Sequence, residues 1–175
     1  MTTLYLNKIL ALATIGSQAF IVAGTVYAIL MRKRNDPIIQ FFVKNTLAFT
    51  FIILLAATLG SLLYSNIVGF EPCYLCWYQR IFTFPSVILL AMAMVKKDRG
   101  ILDYVLGLTF IGTLISIYHN FISYGGSDFI PCPATGASCT KLYVYEFGYV
   151  TIPMMMLTTF ALVIFLILLH RKFSV

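Results

Sequence analysis

Apolar residues run along this chain in five long blocks separated by short polar breaks. Each block approaches or exceeds the roughly 20 residues that an α-helix needs to cross a bilayer, so the pattern predicts five spanning helices. The first runs from about Ile9 to Leu30 and is followed by Arg32-Lys33-Arg34. After the break at Asn35-Asp36-Pro37, Ile38 to Lys44 reads as interfacial and the second span as about Asn45 to Val68. The third begins in a cysteine-bearing stretch and continues to about Val95, with Pro85 as the position where it would kink. Lys96-Lys97-Asp98-Arg99-Gly100 forms a charged turn, and the fourth span occupies about Ile101 to Tyr124. The only long loop, Gly125 to about Gly148, leads to a fifth span from about Tyr149 to Leu169. No internal repeat or low-complexity linker interrupts the order. For the first block a secretory signal peptide is the competing reading, with cleavage near Thr25-Val26-Tyr27-Ala28. Signal peptides carry a shorter apolar core of about 7–15 residues with basic residues ahead of it, whereas this block is longer and its basic cluster follows. A retained helix with its N-terminus outside is the better expectation.

Composition changes the picture in one respect. At 61% hydrophobic and 10% charged, the chain is far from the roughly 25% charged of soluble domains, so a soluble fold is excluded. The net charge of +6 lies in short clusters between apolar blocks, which describes membrane topology and not a nucleic-acid surface. Cytoplasmic loops collect Lys and Arg. With the N-terminus outside, nine basic residues fall on the cytoplasmic side (Arg32, Lys33, Arg34, Lys44, Lys96, Lys97, Arg99, Arg171 and Lys172) and three (Lys8, Arg80 and Lys141) on the other. That orientation leaves the C-terminus cytoplasmic and all four cysteines extracytoplasmic, where disulfides persist.

The candidate chemistry is concentrated in Glu71-Pro72-Cys73-Tyr74-Leu75-Cys76-Trp77-Tyr78-Gln79-Arg80. A helix starting near Pro72 would place both cysteines in its first turn and align Cys73, Cys76 and Arg80 on one stripe. The amides and dipole of a helix N-terminus stabilise a thiolate, the nucleophilic form of cysteine. Cys132 and Cys139 form a second pair in the long loop. The plain reading of that pair is a structural staple. Zinc is a further alternative, since the Cys-x-x-Cys spacing fits, but a cation beside the thiols opposes it and no metal is expected. Arg80 falls about 6 Å beyond Cys76 along the helix, at the hydrocarbon edge, where an ionisable residue marks a functional site or snorkels to the headgroups. His119, on the fourth helix, lies at a similar depth and either shares a pocket with Arg80 or makes an interhelical hydrogen bond. Trp77 and Tyr78 line that pocket or sit in the aromatic belt, while Tyr143, Tyr145, Phe147 and Tyr149 are expected to hold the segment returning from the long loop at the interface. A thiolate and an arginine in an apolar pocket open to lipid suit a quinone, whose oxygens gain negative charge on reduction.

Pro72-Cys73-Tyr74-Leu75-Cys76-Trp77-Tyr78-Gln79-Arg80, the second cysteine pair, and Phe147-Gly148-Tyr149-Val150-Thr151-Ile152-Pro153 resemble the DsbB family of disulfide-bond formation proteins, above all its BdbC-type branch. The resemblance covers about Asn45 to Leu169. It implies an all-α integral membrane protein: a four-helix transmembrane bundle in residues 37–175, plus an additional N-terminal transmembrane helix in residues 1–36 that departs from the family pattern. It further implies a multi-pass protein of the bacterial cell membrane that acts as a thiol:quinone oxidoreductase. A soluble thioredoxin-fold thiol oxidase, DsbA- or BdbD-like, would pass electrons to Cys132 through a mixed disulfide. Cys139 would carry them to Cys73, and Cys76 would react with ubiquinone or menaquinone beside Arg80. His119 matches a histidine near the quinone in some members. Two alternatives differ. The vitamin K epoxide reductase family shares these parts but places its loop pair before the Cys-x-x-Cys, and a non-catalytic subunit would hold its disulfides only as staples.

Overall fold

The computed structural model describes residues 2–30, 36–126 and 138–174. Five helices follow in order: α1 (Thr2–Leu30), α2 (Pro37–Leu62), α3 (Tyr74–Lys96), α4 (Ile101–Ser123) and α5 (Ile152–Phe173). All five are long and apolar enough to cross a membrane. The shortest, α5, has 22 residues and therefore spans about 33 Å at 1.5 Å per residue, more than the hydrocarbon core of about 30 Å.

α2, α3, α4 and α5 pack as a closed ring in which α2 meets α3, α3 meets α4, α4 meets α5 and α5 returns to α2. α1 lies outside this ring, mainly against α5. The ring is filled by Leu54, Leu90, Leu102, Val105, Phe160, Val163 and Ile167. In lipid there is no hydrophobic drive between helices, so close approach depends on small residues. Gly112 shows it: a Cβ there would sit 2.7 Å from Phe160 of α5. Buried hydroxyls make no demand on neighbours, because Thr50, Thr83, Ser86 and Thr109 each bond the carbonyl four residues back on their own helix.

The structure departs from the sequence-based boundaries in several places, the first being α1, which starts at Thr2 and not near Ile9. Ile38 to Lys44 is not a separate interfacial piece but the first part of a continuous α2, capped by Asp36, whose carboxylate accepts from the amides of Ile38 and Ile39. α5 begins at Ile152, not Tyr149, because Thr151 caps it and Glu146 and Val150 pair across a tight turn ahead of it. α3 begins at Tyr74, with Cys73 extended at the N-cap. α3 runs through Pro85 without ending.

The outer end of α2 is a π-helical turn, Leu63–Ile67. Such turns are rare and concentrate at functional sites. This one packs against the return segment through stacked rings: Tyr64 on Phe70, with centroids 5.6 Å apart, and Phe70 on Tyr143, at 4.6 Å.

Candidate functional site

Helix starts and a loop bring three sulfurs together at this end of the bundle. Cys73 lies at the N-cap of α3, its carbonyl accepting the first helical hydrogen bond from Trp77 at 3.2 Å. Cys76 follows in the first turn, and the two Sγ atoms are 3.4 Å apart, with Cys73 donating to Cys76. Cys139 comes from the return segment and is buried with Cys73 against Leu75 and Ile122. Its backbone carbonyl accepts from Ser123 at the end of α4. The Cys73 and Cys139 sulfurs and a His119 nitrogen all lie within 4.8 Å of one another.

His119 Nε2 is 3.6 Å from Cys73 Sγ. Its Nδ1 lies 3.5 Å from Gln79 Nε2, which is itself anchored on Ser116 Oγ at 3.0 Å. An amide nitrogen only donates, so in that contact Nδ1 is the acceptor, and Nε2 faces Cys73. The Cys73 thiol is pushed up to about 12, first by donating its proton to Cys76, then by burial, with His119 pulling the other way. Cys73 therefore holds its proton at neutral pH.

Arg80, one turn further along α3, is 8% exposed. Its Nε donates to Ser61 Oγ at 2.9 Å, and Nη2 donates to the Ser61 carbonyl at 2.9 Å and to Ser65 Oγ at 3.0 Å. Ser61 and Ser65, four residues apart, lie on one helical stripe facing Arg80. No carboxylate pairs with Arg80 among the described residues, whose one ion pair joins Arg171 and Asp103 at the other end of the bundle. Nε and Nη2 of the buried cation are thus held by neutral oxygens, and Arg80 lines the adjacent space. A buried charge of this kind favours an anionic partner strongly.

That space is a cavity of about 300 Å³, at the lower end of small-molecule sites. Cys73, Cys76, Gln79, Arg80, His119 and Cys139 meet at it, and Ile53, Ala56, Ala57, Met155, Met156 and Leu162 supply its apolar walls. Trp77 stands outside these walls, its ring 5.1 Å from the Arg80 guanidinium carbon. Cys132 lies outside the described residues. Sequence reasoning missed Ser61, Ser65 and Gln79, although each is a polar side chain inside an apolar helix and so a candidate for an interhelical bond.

Fold and site together define a class, a multi-pass helical membrane protein with a thiol cluster beside a buried arginine. The comparisons with known proteins narrow it. The family described as "Disulfide bond formation protein DsbB" matches residues 44–170. The chain is 39% identical over 122 residues to the SPbeta prophage-derived disulfide bond formation protein B of Bacillus subtilis (strain 168), covering 70% of this chain and 82% of that protein. It is 40% identical over 126 residues to disulfide bond formation protein C of the same organism, covering 69% and 91%. With a probable disulfide formation protein C 1 of Bacillus anthracis it shares 49% identity over 105 residues, 59% and 76% of the two chains. No solved structure matches. The chain belongs to the DsbB family, and its role is in disulfide-bond formation. α1 lies wholly outside the matched region.

Proposed function

We propose that this protein is a thiol:quinone oxidoreductase that reoxidises a soluble extracytoplasmic thioredoxin-fold oxidase and delivers the electrons to a membrane quinone. The observation that carries the reading is the meeting of three cysteine sulfurs and an arginine that has no ion-pair partner among the described residues at one mostly apolar cavity. The basic clusters of the sequence support an extracytoplasmic site, with residues 37–175 as the redox unit and residues 1–36 as an added helix.

The resting protein pairs Cys73 with Cys76 and Cys132 with Cys139. A partner thiolate attacks Cys132, and Cys139 leaves as a thiolate. Cys139 attacks Cys73, the Cys73–Cys76 bond breaks, and Cys76 leaves with its electron pair at the cavity. The partner's second thiol displaces Cys132, which then attacks Cys139 in the Cys73–Cys139 bridge, restoring the loop disulfide and releasing Cys73. Two electrons and two protons have then moved from the partner dithiol to Cys73 and Cys76. His119 Nε2, 3.6 Å from Cys73 Sγ, stands beside the sulfur charge that appears on Cys73 when the Cys73–Cys139 bond breaks.

The cavity fits a quinone ring by its apolar walls and by the arginine at the Cys76 end. Bound there, a quinone supplies an acceptor for two electrons and two protons. Arg80 offers its guanidinium to the oxygen where charge grows, Ser61 and Ser65 hold that group in place, and Cys76 presents its sulfur to the same space while re-forming its bond with Cys73.

Cys76→Ser is expected to abolish quinone reduction by the reduced, folded protein; undiminished reduction would overturn the assignment. Zinc is the second reading, favoured by the Cys73, His119 and Cys139 cluster and opposed by the nearby cation. Metal analysis separates the two, since a stoichiometric zinc that blocks thiol titration would replace the redox reading.

A further inference from the structure

The additional helix does more than cross the membrane beside the bundle. Two polar residues inside it bond to the other helices: Asn7 Oδ1 accepts from Tyr64 of the π-helical turn at 2.9 Å, and Gln18 donates to Thr158 of α5 at 3.0 Å. Gln18 also accepts from Tyr149 at 2.8 Å. Such bonds fix a helix's rotation in lipid. The rotation turns Leu10, Ala13, Thr14 and Ser17, spaced as one helical stripe, into the cavity that holds Arg80 and Cys76.

A second cavity, of about 280 Å³, lies lower along the same seam. It shares Ala13, Ser17, Ile53 and Leu162 with the first. Phe42 and Phe49 of α2 and Leu166 of α5 wall it further, and Phe20 of α1 closes on Phe42 with ring centroids 5.3 Å apart. Its lining is apolar except for Ser17, whose hydroxyl is bonded to the Ala13 carbonyl. From Ser61 beside Arg80 to Phe49, the twelve intervening steps on α2 extend the seam about 18 Å along the helix axis.

We propose that α1, α2 and α5 form a channel for the isoprenoid tail of the quinone, with Ala13 and Ser17 at the junction where the ring site passes into the tail site. This rests on the quinone reading of the Arg80 cavity and deepens it. A ring without a tail would need only the upper cavity. The lower one, which shares four lining residues with it, offers an apolar groove to an extended hydrocarbon and makes the added helix a determinant of which quinones bind. The small side chains of Ala13 and Ser17 leave the passage open, and a bulky residue there would divide it.

The test uses the full-length protein in detergent and reads equilibrium binding through the fluorescence of Trp77, the single tryptophan, which lies against Arg80. The probes are one benzoquinone ring with no tail and the same ring with a decyl tail. In Ala13→Phe the decyl compound is expected to bind about tenfold more weakly, equivalent to about 1.4 kcal/mol, while the tail-less ring changes by less than about twofold. Leu12→Phe, which alters the exposed face of α1, is expected to leave both unchanged. A tail-end photoreactive analogue on the unmodified protein is expected to label α1 between Leu10 and Phe20 or α2 between Phe42 and Ile53. An equal loss for both compounds in Ala13→Phe, no loss for the decyl compound, or labelling confined to α4 would overturn the channel. Binding of the tail-less ring to the unmodified protein would still stand in those cases. Absence of binding by either ring would remove the quinone site and the channel with it.

Discussion

A protein carrying only Cys73 and Cys139, made by Cys76→Ser with Cys132→Ser, is expected to close a disulfide between the remaining pair under mild oxidation. The two sulfurs lie within 4.8 Å. A disulfide needs about 2.05 Å, so they must approach by at most about 2.8 Å. One step between staggered χ1 wells carries a sulfur about 3 Å, a displacement as large as the gap. The comparison is the protein carrying only Cys76 and Cys139, made by Cys73→Ser with Cys132→Ser. Cys76 sits a helical turn further on, outside the cluster of Cys73, His119 and Cys139, so its sulfur has further to travel. A difference of about 1.4 kcal/mol in the cost of that approach makes Cys73–Cys139 closure about tenfold faster. The assay is quenched alkylation at timed intervals with the linked peptides identified by mass spectrometry. Equal or faster closure of Cys76 with Cys139 would refute the proposed order of transfer.

Other perturbations address the remaining parts of the site. Arg80→Ala removes the cation from the cavity and is expected to lower kcat/KM for quinone by about 10²–10³, as loss of a charge-stabilising donor does, with Cys73–Cys139 exchange unaffected. Ser61→Ala strips Arg80 Nε of its acceptor. It is expected to cost about 1–3 kcal/mol, read as lower stability and weaker quinone binding. Cys73 is pushed up to about 12 from an ordinary value of 9.0, so its neutral form is favoured by folding. That contribution is complete below pH 9.0 and is lost as pH rises from there to about 12. Alkylation of Cys73 in the reduced protein should accordingly keep rising about tenfold per pH unit beyond pH 9; a plateau near 9 would contradict the hydrogen-bonded pair.

The parts of this architecture written in the sequence are those with a one-dimensional signature. Five apolar blocks give five helices because lipid demands it, and Cys73, Cys76 and Arg80 are adjacent through a single helix's periodicity. The register of helix starts was less legible. Tyr149 and Val150 are apolar and read as helix, yet Val150 pairs with Glu146 in a turn and Thr151 provides the cap. Cys73 reads as helical beside Pro72 but lies extended at the N-cap. Contacts between elements were least legible. Ser61 and Ser65 share a stripe by their spacing, but nothing in the local pattern of α2 says that this stripe faces Arg80 of α3, because packing between helices sets that contact. Asn7 and Gln18 gave the available signal for α1, since polar side chains in a spanning helix need partners, but their partners on α2 and α5 are set by packing.

The most direct test of the central claim is anaerobic. Purified protein, fully reduced and stripped of quinone in detergent, is mixed with ubiquinone or menaquinone analogues while quinone absorbance and free thiols are followed together, with Arg80→Ala alongside. The expected result is one quinone reduced for each pair of thiols lost, with the Arg80 variant slower by the factor above. A folded protein whose thiols persist while the quinone stays oxidised would contradict the account and return the cysteines to a structural or metal-binding role.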